Sequence, residues 1–153
     1  MDRSGRRHGP NWVDSCWASL PVTVVPGITS AIAVPAAAEV PVTHRGVAHE
    51  FVVVSGHVAP DDPASLVDWS ALGRLRGTLV LLMAVERIGA FATALIAHGR
   101  PADTPVVVVQ EGTLRTHRAV RSTLEKVAED VTAHGIRPPA VIVIGSVVDL
   151  RPL

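Results

Sequence analysis

The chain has 153 residues, enough for one domain or a large part of a bigger one, and two full domains are not expected at this length. Hydrophobic residues make up 48% and charged residues 18%, which supplies a core and excludes a disordered tail. Lys plus Arg number 14 and Asp plus Glu number 14, so no global field draws the chain to nucleic acid.

Cys16 is the single cysteine, so an internal disulfide is impossible and a reducing, cytoplasmic setting is expected. No apolar run reaches the roughly 18 residues a membrane span needs. The basic start, Met1 to His8, lacks the apolar stretch that follows it in a secretory signal.

In chain order, Pro21 to Val25 is short, Val-rich and bounded by turn residues, the pattern of a buried strand. Thr29 to Glu39 is an Ala-rich helix that Pro35 should shorten or kink. Phe51 to Ser55 is a second strand, and Val58 to Asp68, with Pro60, Asp61, Asp62 and Pro63, is a polar loop. Thr78 to Met83 is a third strand. Val85 to His98 places Val85, Ile88, Ala92, Leu95 and Ile96 on one helical face, with Gly99 as its stop.

Thr104 to Gln110 is the next strand, and the alternation in Arg115 to Arg121 fits an exposed one. Ser122 to His134 is a helix with Leu124, Val127, Ala128 and Val131 inward, Ser122 as N-cap with Glu125 three residues on, and Gly135 closing it. Ala140 to Ile144 is the last strand. Runs this continuously apolar belong to a sheet covered on both faces by helices, an α/β fold.

Hydrolase and NTPase readings fall away, because there is no Gly-x-Ser-x-Gly elbow, Walker loop or dinucleotide fingerprint. His44, His49 and His57 lack helical ligand spacing and no cysteine joins them, so no metal site is expected.

More specific are several blocks in a fixed order. They run Val25-Pro26-Gly27-Ile28-Thr29-Ser30-Ala31, Val40-Pro41-Val42-Thr43-His44-Arg45-Gly46, Val54-Ser55-Gly56-His57, Asp68-Trp69, Gly77 to Met83, Gln110-Glu111-Gly112-Thr113 and Pro139 to Gly145. This series resembles the carboxyl-terminal half of the uroporphyrinogen-III C-methyltransferases, within the tetrapyrrole methylases, over Trp12 to Val148. Residues 1–11 match nothing expected there, and Trp12 to Leu20 is similar to the end of the helix before Pro21. Absent are the GxGPGD loop and the Gly-Gly-Asp-Pro loop of the family's first domain. Ala37, Glu39 and Ala84 stand where the family often has Tyr, Gly and Gly.

The resemblance implies a mixed sheet flanked by helices, a cofactor cleft between two domains, and usually a homodimer. The implied reaction is methyl transfer from S-adenosyl-L-methionine to uroporphyrinogen III, giving precorrin-2 on the route to siroheme or cobalamin. By the same resemblance Thr29 and Ser30 meet the methionine end of the cofactor, although Thr29 after Gly27-Ile28 also suits a helix N-cap. Met83 and Gly112 lie at strand ends, where open α/β sheets bind ligands; a strand-end Met by itself is more often core. Thr43, His44 and Arg45 are the candidate anchors for a substrate with eight carboxylates, in a segment that Pro41 keeps extended. Arg115, Arg118 and Arg121 either add to that field or keep a strand soluble. No Asp or Glu inherits the role of catalytic base. The alternative is a truncated, non-catalytic fragment that keeps part of the cofactor surface, associates with a full-length relative, or self-associates through Leu20, Val24 and Val25.

Overall fold

The computed structural model describes residues 23–150. The elements run α1 (Ser30–Ala37), β1 (Phe51–Ser55), α2 (Trp69–Arg74), β2 (Thr78–Leu82), a 3-10 turn (Val85–Arg87) leading into α3 (Ile88–Ala97), β3 (Pro105–Gln110), β4 (Arg118–Thr123), α4 (Val127–Ala133), β5 (Ala140–Ile144) and a 3-10 turn (Ser146–Asp149). One sheet has the order β1-β2-β5-β3-β4. β1 and β2 are parallel, and β5 runs antiparallel to both β2 and β3. β3 and β4 are also antiparallel. The carboxyl ends of β1, β2 and β3 therefore share one edge, to which the amino ends of β5 and β4 also come.

Strand alternation sorts the core into two halves, because successive side chains point to opposite faces. Leu79, Leu81, Val106, Val108, Ile142 and Ile144 meet α2, α3 and α4 through Trp69, Ile88, Phe91, Leu95, Val127 and Val131. Trp69 and Phe91 stack at 5.1 Å between ring centroids, tilted by 37°, which locks α2 to α3. On the other face Val80, Val107, Val109, Val141 and Val143 meet Ala31 and Val34 of α1, then Val40, Ala48, Val147 and Val148. The sheet is mixed and covered on both faces, as its near-continuous apolar strands require.

Three local expectations are corrected. Thr23 to Val25 is not a strand: Val24 and Val25 are 70% and 84% exposed, while Pro21 and Leu20 lie outside the described residues, as do residues 1–11 and Trp12 to Leu20. Ser122 does not cap α4; it belongs to β4, and its hydroxyl donates to Asp130 Oδ2 at 2.5 Å. The helix begins after Lys126 with no side-chain cap. Finally, Arg115 and Thr116 are turn, and the exposed strand begins at Arg118. Arg118 donates to the His134 carbonyl and Arg121 to that of Val148, so both fasten the edge strand to its neighbours.

α1 is short, with Pro35 inside it, and its end is closed by two hydrogen bonds. Glu39 N–H donates to the Ala36 carbonyl and Val40 N–H to that of Pro35, a Schellman closure. The closure puts Glu39 at φ 59°, the left-handed position that glycine ordinarily fills.

Candidate functional site

At the carboxyl edge of β2 and β3 lies a cleft of about 650 Å³. Its walls are mostly apolar: Val34 of α1, Leu82 and Met83 after β2, Val109 of β3, and Pro138 and Pro139 before β5. Polar groups are few, namely Ser30, Glu86 and Glu111. Apolar walls with a small set of oriented polar groups are the usual make-up of a small-molecule site.

Local sequence explains how each group reaches the cleft. Thr29 N-caps α1, its hydroxyl accepting from Ala31 N–H at 3.2 Å. That bond fixes the first turn and leaves Ser30, the first helical residue, at the cleft wall. α1 can approach because Gly112 has no side chain: a Cβ there would stand 2.7 Å from Val34 Cγ2 and closer still to Cγ1. Glu111 N–H donates to the Pro139 carbonyl at 2.9 Å, which ties the end of β3 to the start of β5. Met83 stands clear of the core, 64% exposed.

Backbone strain gathers at this edge. Met83, Glu111 and Thr113 have φ of 56°, 50° and 74°. These residues carry Cβ atoms and Thr113 is β-branched, so each conformation costs energy and persists only because its surroundings impose it. Such outliers concentrate where a ligand is held.

Of the residues singled out in the sequence, Ser30, Met83 and Gly112 thus line one cleft, with Thr29 anchoring the helix beside it. Thr43, His44 and Arg45 are elsewhere. Their segment is a tight turn rather than an extended run, because His44 and Ala48 exchange backbone hydrogen bonds. The turn continues into Gly46 to Glu50, which share a hollow with Arg76 and Gly77 just before β2. That is the amino-terminal end of β1 and β2, a strand length from the cleft. The three residues remain exposed.

Sequence reading missed Glu86, Glu111, Leu114 and the Pro138-Pro139 wall. Glu86 and Glu111 each follow an apolar strand by one to four positions, a placement that by itself does not distinguish them from solvent-facing charge. Among the described residues no group of three His, Cys, Asp or Glu side chains could hold a metal ion, and no helix is long and apolar enough to cross a membrane.

Comparison with known proteins bears on this edge of the sheet. A family model described as Tetrapyrrole (Corrin/Porphyrin) Methylases matches residues 11–128. The chain is 42% identical over 130 residues to an S-adenosyl-L-methionine-dependent uroporphyrinogen III methyltransferase of Methanosarcina barkeri, covering 85% of this chain and 51% of that protein. It is 42% identical over 133 residues to a uroporphyrinogen-III C-methyltransferase of Methanocaldococcus jannaschii, covering 86% and 54%. Among solved structures, the uroporphyrin-III C-methyl transferase of Thermus thermophilus complexed with S-adenyl homocysteine is similar, with a TM-score of 0.71 and 37% identity over 87% of this chain and 54% of that one. The chain spans about half the length of these relatives.

Proposed function

Because the chain belongs to the tetrapyrrole (corrin/porphyrin) methylases, we propose that its cleft forms one wall of an S-adenosyl-L-methionine site used to methylate uroporphyrinogen III. The observation that carries this reading is the convergence of Ser30, Met83 and Gly112 on a single apolar cleft with two carboxylates. The donor supplies a methyl group already activated on a sulfonium, so the protein's part is to hold it in line with the acceptor. Leu82, Met83, Val85 and Pro139 offer apolar faces for a nucleoside base. Ser30 can pair with the amino-acid end of the cofactor, while Glu86 and Glu111 accept from hydroxyl or ammonium groups and favour the cationic form.

The remaining wall is assigned to the half of the relatives' length that this chain does not span, supplied as a further domain or by a full-length relative. Self-association is proposed through the exposed Val24, Val25 and Ile28, and sedimentation as a single monomer at all concentrations would refute it. Thr43, His44 and Arg45 are assigned to the carboxylates of the substrate, away from the cofactor.

Calorimetric titration with S-adenosylhomocysteine tests the reading. Saturable binding is expected, lost in Gly112→Ala because the new methyl group drives α1 and Ser30 off the cleft, and unchanged in Arg45→Ala. Absence of binding to the folded parent chain, or equal binding by Gly112→Ala, would overturn the assignment.

A further inference from the structure

The opposite end of the sheet carries a further hollow whose charged side chains are all cationic. It is lined by Arg74 and Arg76 around the end of α2, by Arg100 and Thr104 before β3, and by Ser146 after β5, and no acidic residue lines it. Arg74 and Arg76 are exposed. Arg100 is the unusual member, only 5% exposed. A guanidinium this deep ordinarily has a carboxylate partner, yet Arg100 makes no ion pair among the described residues.

What Arg100 does have is two backbone carbonyls. Nη2 donates to Gly77 at 2.7 Å and Nη1 to Leu72 at 3.4 Å. A guanidinium has five N–H donors, and the others find no protein acceptor among the described residues. Burial pushes its pKa down to about 10, the mark of a charge taken from water without a counter-charge. Beside the hollow, the buried Thr78 hydroxyl has no hydrogen-bond partner and lies near Gly145. Of the acidic residues at this end, Glu50 packs over Gly77 and lines the adjoining hollow, and the exposed Asp103 lies between Arg100 and Thr104 in the chain.

We infer that this hollow is an oxyanion site, in which Arg100 supplies the buried N–H fork and Arg74 and Arg76 close over a carboxylate or phosphate group. The fork geometry of a guanidinium matches both oxyanions, and the desolvated setting strengthens the pairing. The site is separate from the methyl-donor cleft and stands whether or not that cleft binds the donor.

The test is titration of the full chain with inorganic phosphate, and separately with propionate, at constant ionic strength, followed by the Arg100 side-chain Nε–H resonance and by calorimetry. Saturable binding of either anion that shifts the Arg100 resonance is expected, with phosphate and propionate together separating a free oxyanion from a ligand's carboxylate arm. Arg74→Gln combined with Arg76→Gln, both at exposed positions, should weaken it about tenfold. Glu50→Gln should tighten it. Lack of saturation by both anions, or binding that ignores the Arg74 and Arg76 changes, would show that Arg100 serves only to fasten Leu72 to Gly77.

Discussion

Replacing Glu39 by glycine should stabilise the protein, although it deletes a side chain. Glu39 sits at φ 59° to close α1. A residue with a Cβ pays about 1–2 kcal/mol for the left-handed conformation. Glycine avoids that cost but gives the unfolded chain extra freedom, which returns about 0.4–1 kcal/mol. The net gain is about 0.5–1 kcal/mol, or about 1–4 °C in Tm for a chain this size. Glu39 is exposed and makes no side-chain hydrogen bond among the described residues, so little else is lost. Its carboxylate also faces the negative end of α1, and Glu39→Ala isolates that charge effect while keeping the Cβ. Urea and thermal unfolding of the parent and both variants decide the matter. The reasoning fails if Glu39→Gly melts no higher than the parent, or if Glu39→Ala gains as much as Glu39→Gly.

Gly56→Ala should destabilise by about 1–3 kcal/mol, since its Cβ would meet Ala84 Cβ at 2.6 Å and Phe91 Cζ at 3.0 Å. Combining it with Ala84→Gly removes the nearer obstacle, and a double-mutant cycle should show favourable coupling; additivity would contradict the packing. Asp68→Ala should cost about 1 kcal/mol in chemical denaturation, because the Asp68 carboxylate accepts from Ala71 N–H at 2.8 Å at the start of α2. An unchanged midpoint would mean that the stack of Trp69 on Phe91 alone holds that helix.

How much of this was legible depended on how local the cause was. Phe51–Ser55 and Ala140–Ile144 are strands at the residues expected, because β-branched runs bounded by polar residues leave little else to form. The helix face of Ile88, Ala92 and Leu95 is likewise buried. α2 escaped notice because six residues are too few for a period, and only the Asp68 cap announces it. Ser122 misled because a Ser three residues before Glu125 imitates a capping box, whereas Val120 and Leu124 anchor the segment in the core and prolong the strand.

In the site, Ser30, Met83 and Gly112 came from the ordered blocks, and the strand-end positions of Met83 and Gly112 agreed with them. Glu86 and Glu111 did not, since a solitary acid beside an apolar strand looks like solvent-facing charge until the fold turns it toward a neighbour. The distance between Arg45 and the cleft was equally hidden. It depends on which end of β1 the turn meets, a relation that residue spacing does not encode.

The strand order has a consequence for biosynthesis. β5, the last strand among the described residues, occupies the centre of the sheet, between β2 and β3. During translation, the β1-β2 pair and the β3-β4 hairpin can form early, yet each keeps a bare apolar edge until residues 140–144 leave the ribosome. Those two open margins are the ones that exposed strands use to pair with the wrong chain. A nascent chain stalled before Ala140 is therefore two half-sheets awaiting a shared spine, and chaperone demand should fall sharply once Ala140–Ile144 emerges.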